Sequence, residues 1–265
     1  MTDSTDTTDP HRLFSVRGRT ALVTGGSSGI GRMIAGGFVD AGAKVYIASR
    51  KAAVCDEVAA ELSVRGECVA IPADLSTEDG CRALATELAG REERLDVLVN
   101  NAGATWGAPM EDYDEAAWER VLALNVKGVF HLTKFLRPLL EAAGSPDDPA
   151  RVINIGSING IRPPVLDTFA YSSSKAAVHM LTRHLAMQLA PRITVNAIAP
   201  GPFESRMMAA TLDAFGEQIA AGAPMKRIGR PDDAAGAAIF LASPAAAFIT
   251  GVVLPVDGGL TYATV

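Results

Sequence analysis

The run Thr24-Gly25-Gly26-Ser27-Ser28-Gly29-Ile30-Gly31 joins a short β-rich apolar segment, Thr20 to Thr24, to an amphipathic stretch from Ile30 to Ala41. A strand, a glycine-rich turn and a helix start in that order suit a pyrophosphate. The first N–H groups of a helix are unpaired and its dipole is positive there. Glycine also lets a phosphate approach without a Cβ in the way. The spacing, Gly-x3-Gly-x-Gly, differs from GxGxxG and from a Walker loop with its Lys. After the next apolar segment the chain reads Ala48-Ser49-Arg50-Lys51. An NAD site places an acidic residue there to accept from the ribose 2′-hydroxyl. Here Ser49 can donate to a 2′-phosphate and Arg50 can form charge-assisted bonds with it. NADP(H) is therefore the expected cofactor. The same residues, taken alone, also describe a tight turn and an exposed Arg-Lys pair opening a helix.

Tyr171 and Lys175 are four apart in a stretch of helical length, so both project from one face about one turn apart. Ser157 ends the apolar run Val152-Ile153-Asn154-Ile155-Gly156, where a side chain enters the crevice at the carboxyl edge of a parallel sheet. No GxSxG elbow surrounds it, which argues against a hydrolase nucleophile. His11, His131, His179 and His184 stand in no partner motif and read as surface, packing or interface residues. Cys55, Cys68 and Cys81 lack the close pairs of zinc or redox sites and read as reduced, packed thiols. No metal site is expected.

These residues need elements to hold them. Seven β-rich runs alternate with stretches of helical length, the pattern of βαβ units. The expected strands are Thr20 to Thr24, Lys44 to Ser49, Cys68 to Pro72, Leu95 to Asn100, Arg151 to Gly156, Ile193 to Ala199 and Val252 to Val256. The expected helices are Ile30 to Ala41, Ala53 to Arg65, Glu78 to Arg91, Asp114 to Ala143, Phe169 to Leu189, Met207 to Ala221 and Asp232 to Ala242. The reading is an α/β fold, a single Rossmann-like doubly wound parallel sheet with helices on both faces. Residues 1–12 read as a flexible acidic tail and 13–265 as one domain. The 265 residues are 48% hydrophobic and 20% charged, enough for a substantial core. A net charge of −6 argues against nucleic acid. No run of about 18 apolar residues and no signal-peptide pattern is present, so neither a membrane span nor export is expected, and the protein reads as cytoplasmic.

In order, the chain resembles the classical short-chain dehydrogenase/reductase superfamily from Gly18 to Tyr262. The resemblance rests on the glycine turn, Asp74-Leu75, Asn100-Asn101-Ala102-Gly103, Asn125, Ser157, Tyr171-x3-Lys175, Pro200-Gly201 and Asp257-Gly258-Gly259. It implies Tyr171 as acid/base, with Lys175 lowering its pKa and binding the nicotinamide ribose. A phenol titrates near ~10, and an ammonium beside it favours phenolate. The resemblance further implies Ser157 as the group that stabilises the developing alkoxide and Asn125 as holder of a relay water. It assigns Asp74 and Leu75 to the adenine, Asn101, Ala102 and Gly103 to the adenosine ribose and its path, and Pro200 and Gly201 to the nicotinamide. Ser205 stands where the family often has a carboxamide-binding Thr, and Ser28 where many NADP-preferring relatives carry a basic residue.

Within the family the chain is most similar to 3-oxoacyl thioester reductases. That implies a small-molecule carbonyl substrate, a 3-oxoacyl thioester or similar apolar ketone. A diketone, steroid-like ketone or sugar ketone is the alternative, and a non-catalytic NADP-sensing protein a further one. Substrate choice is expected in 104–110, 158–168 and near 203–223, where Phe203, Met207, Met208, Leu212 and Phe215 read either as an apolar lid or as the buried face of an ordinary helix. The loop acid pair Asp147-Asp148, with Arg192 as one basic candidate, argues against docking of an acidic carrier. Association into a homotetramer or homodimer is expected.

Overall fold

A computed structural model describes residues 9–263. The strands are β1 (Thr20–Thr24), β2 (Lys44–Ser49), β3 (Cys68–Pro72), β4 (Val97–Asn100), β5 (Ala150–Ile155), β6 (Ile193–Pro200) and β7 (Val253–Val256). The helices are α1 (Pro10–Leu13), α2 (Gly29–Asp40), α3 (Ala52–Ser63), α4 (Glu78–Ala89), α5 (Glu115–Leu122), α6 (Val129–Ala143), α7 (Phe169–Leu189), α8 (Ala209–Gly222) and α9 (Pro231–Ala242). All seven strands are parallel, in the order β3-β2-β1-β4-β5-β6-β7. The expected doubly wound sheet is the one found.

Both sheet faces are covered, because alternate residues of one strand serve opposite layers. Ala21 and Val23 of β1 pack with Ile34 and Phe38 of α2 and Leu241 of α9. Leu22 joins Leu84 and Leu88 of α4 and Leu132, Leu136 and Leu140 of α6. The chain reverses its direction of winding between β1 and β4, so a crevice opens where the carboxyl ends of those strands part. Among the described residues no helix is long and apolar enough to cross a membrane.

The helix expected from Asp114 to Ala143 is not continuous. A π-helical segment, Ala123–Gly128, separates α5 from α6 and contains Asn125. Asn125 is 1% exposed and bonds to groups outside its own helix, and a local widening of the helix accommodates this. Of the tail expected over residues 1–12, residues 1–8 lie outside the described residues. Asp9 caps α1, its carboxylate accepting from His11 N at 3.0 Å, and Pro10 takes the first helical position.

Candidate active site

The crevice is bound together by Thr24, the last residue of β1. Its Oγ1 donates to Val99 O at 3.2 Å and accepts from the main-chain N–H groups of Asn101 at 2.9 Å and Ala102 at 3.0 Å. The Asn101 side chain returns a bond from Nδ2 to Thr24 O at 2.8 Å. The two strand ends that flank the switch point are thus locked in register. Beneath them a buried polar chain runs from Thr133 through Asn100 and Asn154 to Thr182, with links of 3.1, 2.9 and 2.9 Å.

The glycine turn sits on this lock. Gly25 has φ +65 and Gly29 φ +52, the left-handed region that disfavours side chains. A Cβ on Gly25 would lie 2.6 Å from Asn101 Nδ2, and one on Gly29 would lie 3.0 Å from Ser205 Cβ. Ser28 is the N-cap of α2 yet makes no side-chain bond to the helix, so the first N–H groups around Gly29, Ile30 and Gly31 are left for another acceptor. Ser27 and Ser28 line a cleft of about 320 Å³ with Arg32, Glu57 and Arg206.

At the end of β2, Ser49 Oγ is buried with no partner of ordinary hydrogen-bond geometry; the Cys55 thiol beside it is a weak one. Arg50 and Lys51 are exposed, and neither forms an ion pair with a described residue. Asp74 is held below the usual carboxylate range by hydrogen bonds from the Ser76 main chain and hydroxyl, with a smaller contribution from the Arg50 charge. Its Oδ1 accepts from Ser76 N at 3.0 Å and Oγ at 2.7 Å, so one carboxylate oxygen already closes a local turn. Leu75 is buried behind it. The Gly25–Gly31 cradle, the uncapped helix start and the orphaned Ser49 hydroxyl together fit a dinucleotide carrying a 2′-phosphate.

Across the crevice stand Ser157, Tyr171 and Lys175. Ser157 follows β5, is 7% exposed, and its Oγ accepts from Asn159 N at 3.1 Å. The Ser157 hydroxyl beside the Tyr171 phenol acts to lower its pKa, but burial outweighs it and leaves the phenol raised above its ordinary 10. Lys175 is 5% exposed and its Nζ donates to Ile155 O at 2.7 Å, 5.5 Å from the Tyr171 ring centroid. Burial lowers its pKa to about 8. The depressed phenol that the family resemblance implies is therefore not what the chain alone produces. Desolvation penalises the charged form of both groups and weakens the ammonium that was to act on the phenol.

Asn125 joins the two sides. Its Oδ1 accepts from Ala104 N at 2.8 Å, and its Nδ2 donates to Ala104 O and Ser174 Oγ, both at 2.9 Å. Both ends of the amide have protein partners, so the side chain fastens the segment after β4 to α7. A Cβ on Gly103 would lie 3.4 Å from Asn125 Oδ1 and 3.7 Å from Lys175 Nζ, which places Gly103 beside the catalytic candidates. Pro200 closes β6, and Gly201 N donates to Val256 O at 3.0 Å. Ser205 Oγ accepts from Met208 N at 3.3 Å, and its Cβ would lie 3.0 Å from a Cβ on Gly29, so Ser205 borders the glycine turn.

Two expectations about the surroundings change. Phe203 is 2% exposed and packs against Gly229, so it belongs to the core and not to an apolar lid. Asp147, Asp148 and Arg192 precede β5 and β6, at the amino edge of the sheet, opposite the crevice. Asp148 pairs there with Arg19, and Arg192 bonds to Glu141 O. They have no bearing on what reaches the site. Thr24 and Ser174, which tie the site together, carry no signal of their own in the sequence, since a hydroxyl on a strand end or helix looks like any other.

The family model described as Enoyl-(Acyl carrier protein) reductase matches residues 25–261. Its span takes in the glycine turn, the Ser157–Tyr171–Lys175 group and the Pro200–Gly201 corner. The chain belongs to the short-chain dehydrogenase/reductase family. It is 51% identical over 253 residues to the rhamnolipids biosynthesis 3-oxoacyl-[acyl-carrier-protein] reductase of Pseudomonas aeruginosa, covering 94% of this chain and 98% of that protein. It is 38% identical over 262 residues to the L-tagatose-forming galactitol 2-dehydrogenase of Cereibacter sphaeroides, covering 96% and 99%. Among solved structures, the Pseudomonas aeruginosa RhlG/NADP active-site complex superposes with a TM-score of 0.92 at 50% identity, covering 95% of this chain and 99% of that one. This short-chain reductase fold accounts for the strand order and for the crevice between β1 and β4.

Proposed function

We propose that the protein is an NADPH-dependent oxidoreductase that reduces the ketone of a 3-oxoacyl thioester, or of a similar apolar molecule, to a secondary alcohol. One observation carries the reading: the Ser157 hydroxyl, the Tyr171 phenol and the buried Lys175 amine stand together at the carboxyl edge of the sheet, facing the uncapped phosphate cradle across the switch point. The 51% identity to a 3-oxoacyl reductase and the NADP in its structural neighbour support the substrate and the cofactor.

When bound, NADPH supplies the hydride that reaches the carbonyl carbon. Ser157 holds the carbonyl oxygen and stabilises the charge that grows there. Tyr171 gives its phenolic proton to that oxygen; a phenol kept protonated by burial is in the right state to donate. Lys175, with a pKa near 8, exchanges a proton readily at working pH and holds the nicotinamide ribose. Asn125 serves this relay by fastening α7, through Ser174, to the residues after β4. Gly25, Ser27, Ser28, Gly29, Ile30 and Gly31 take the pyrophosphate, and Ser49, Arg50 and Lys51 the 2′-phosphate. Asp74, Leu75, Asn101, Ala102 and Gly103 border the adenosine, and Pro200, Gly201 and Ser205 the nicotinamide end.

The protein works in the cytoplasm as a homotetramer or homodimer. Three free, buried cysteines support a reducing compartment. Exposed Phe130, Met180 and Met187 on α6 and α7 support association.

NADPH consumption with a 3-oxoacyl thioester on CoA and on a carrier protein tests the reading, beside simple ketones, a sugar ketone, NADH and Tyr171→Phe. Thioester turnover with NADPH, lost by about 10² to 10⁴-fold in Tyr171→Phe, is expected. Turnover of the sugar ketone alone would move the chain toward the galactitol dehydrogenase type, and cofactor binding with no turnover would make it a sensor.

A further inference from the structure

Four polar side chains lie on the buried face of α7: Ser174, Lys175, His179 and Thr182. Three have partners. Ser174 donates to Tyr171 O at 2.7 Å, Lys175 to Ile155 O, and Thr182 to Val178 O at 2.8 Å. His179 is 4% exposed, and its Nε2 is buried with no hydrogen-bond partner among the described residues. A buried polar atom without a partner costs free energy, so its retention calls for a reason.

The position supplies one. Tyr171, Lys175 and His179 follow each other at intervals of four, a column on one face of α7. The imidazole at its end lies against the turn that carries Ser157. A Cβ on Gly156 would overlap Nε2 and come within 2.7 Å of Cδ2, and one on Gly160 would lie 2.9 Å from Cε1. Gly156 is glycine because the flat ring occupies the space a side chain would take, and Gly160 because the α7 backbone at Lys175 and Ala176, 2.6 and 2.7 Å from such a Cβ, closes that space together with the ring. Between the two glycines Ser157 Oγ accepts from Asn159 N, Gly160 N donates to Ser157 O at 3.0 Å, and Ile161 N to Ile158 O at 2.9 Å. Burial, then Lys175 and Arg183 of α7, keep the ring neutral, with a pKa down to about 4, against the Gly160 carbonyl, which acts the other way as an acceptor does. With Nε2 unpartnered and the Gly160 carbonyl acting on the ring as an acceptor, the tautomer with its N–H on Nδ1 is the one that satisfies that carbonyl.

We propose that His179 is a positioning residue: its imidazole, wedged between Gly156 and Gly160, sets the turn that aims the Ser157 hydroxyl at the substrate oxygen beside Tyr171. What Ser157 does there rests on the ketone-reductase reading; what His179 holds rests on its packing against Gly156 and Gly160 and on the Gly160 carbonyl as its acceptor.

The test compares His179→Leu, which keeps bulk but removes the ring and its donor, with His179→Asn, whose amide N–H stands in for Nδ1. Amide hydrogen exchange at Gly160 and Ile161 is measured on the cofactor-free proteins, alongside kcat, the KM for NADPH and thermal midpoints. The expected result is about ten-fold faster exchange at those two amides in the Leu variant, and about a ten-fold lower kcat at unchanged KM for NADPH. The Asn variant recovers most of both. Unchanged exchange in the Leu variant overturns the proposal, as does equal loss in both variants that follows their thermal midpoints. If the parent protein reduces no ketone, the ketone-reductase reading fails by itself and the exchange measurement still decides whether His179 sets the turn.

Discussion

Helices α7 and α8 both border the site, and they are built on opposite plans. Seven of the residues along α7 are buried, four of them polar, and they bond to β5, to Asn125 and to Asn154. Among its 14 residues α8 buries none. One face of α8, with Leu212, Gly216 and Ala220, lines a cleft of about 1160 Å³ against Arg32, Met33 and Gly36 of α2. That cleft includes Gly29 and Ser205 but neither Ser157 nor Tyr171. The contrast separates two tasks. Chemistry needs groups held within fractions of an ångström, and buried elements tied down by hydrogen bonds and packing supply that. Substrate choice tolerates and uses an element with little packed against it.

The contrast can be broken most directly at the rigid side. Ser157→Ala removes the hydroxyl facing the substrate oxygen, and kcat falls by about 10²-fold with NADPH binding retained. Steady-state kinetics and cofactor fluorescence read the two effects separately, and a kcat within three-fold of the parent would remove Ser157 from the mechanism.

Thr24→Val keeps the shape of the side chain and leaves the Ala102 N–H without its partner, while Asn101 N and Val99 O keep only their bond to each other. The expected loss is about 2 kcal/mol in urea unfolding, since an unsatisfied buried polar group costs ~1–3 kcal/mol. A change below a few tenths would mean that the strand ends are held in another way.

Lys175 gives a pH test of burial. Its folded pKa of about 8 lies below its ordinary 10.5, so between those values the unfolded chain binds more protons and stability contributed at this site rises with pH. Below about pH 8 the folded protein carries the full cost of the buried charge. Lys175→Met is therefore expected to gain thermal stability relative to the parent at pH 7 and to lose that advantage toward pH 10. A difference between the two proteins that does not vary with pH would contradict the shift.

The smallest effect belongs to α8. Phe215 is 56% exposed, so Phe215→Ala is expected to leave stability within about 0.5 kcal/mol. The KM for an apolar ketone shifts a few-fold while kcat holds. A drop in kcat as large as that of Ser157→Ala would put α8 in the reaction site and erase the distinction.

The legibility of these parts followed the same division. Strands of alternating layers and a glycine run at a strand-to-helix junction are local patterns, and β1, α7 and the phosphate cradle stand where those patterns put them. The expected helix from Asp114 to Ala143 ran through Asn125 because periodicity carries no mark of a π-helical widening. Its cause, the Ala104 main chain, lies 21 residues away in sequence. Phe203 read as part of a lid because apolar residues near a mouth look alike; that it packs on Gly229 depends on a chain segment 26 residues later. Asp147 and Asp148 read as a charge near the site until the parallel sheet placed every loop before a strand at the far edge.

By itself the sequence determined which reaction partners exist: a phenol, an amine and a hydroxyl in order, a cradle without side chains, and a basic pair after β2. Residue type and short spacing suffice for that, because these are properties of single turns of chain. The tertiary structure decided how those groups behave. Burial is a property of everything packed around a group, so only the fold could raise Tyr171, lower Lys175 and His179, and set the imidazole beneath Ser157.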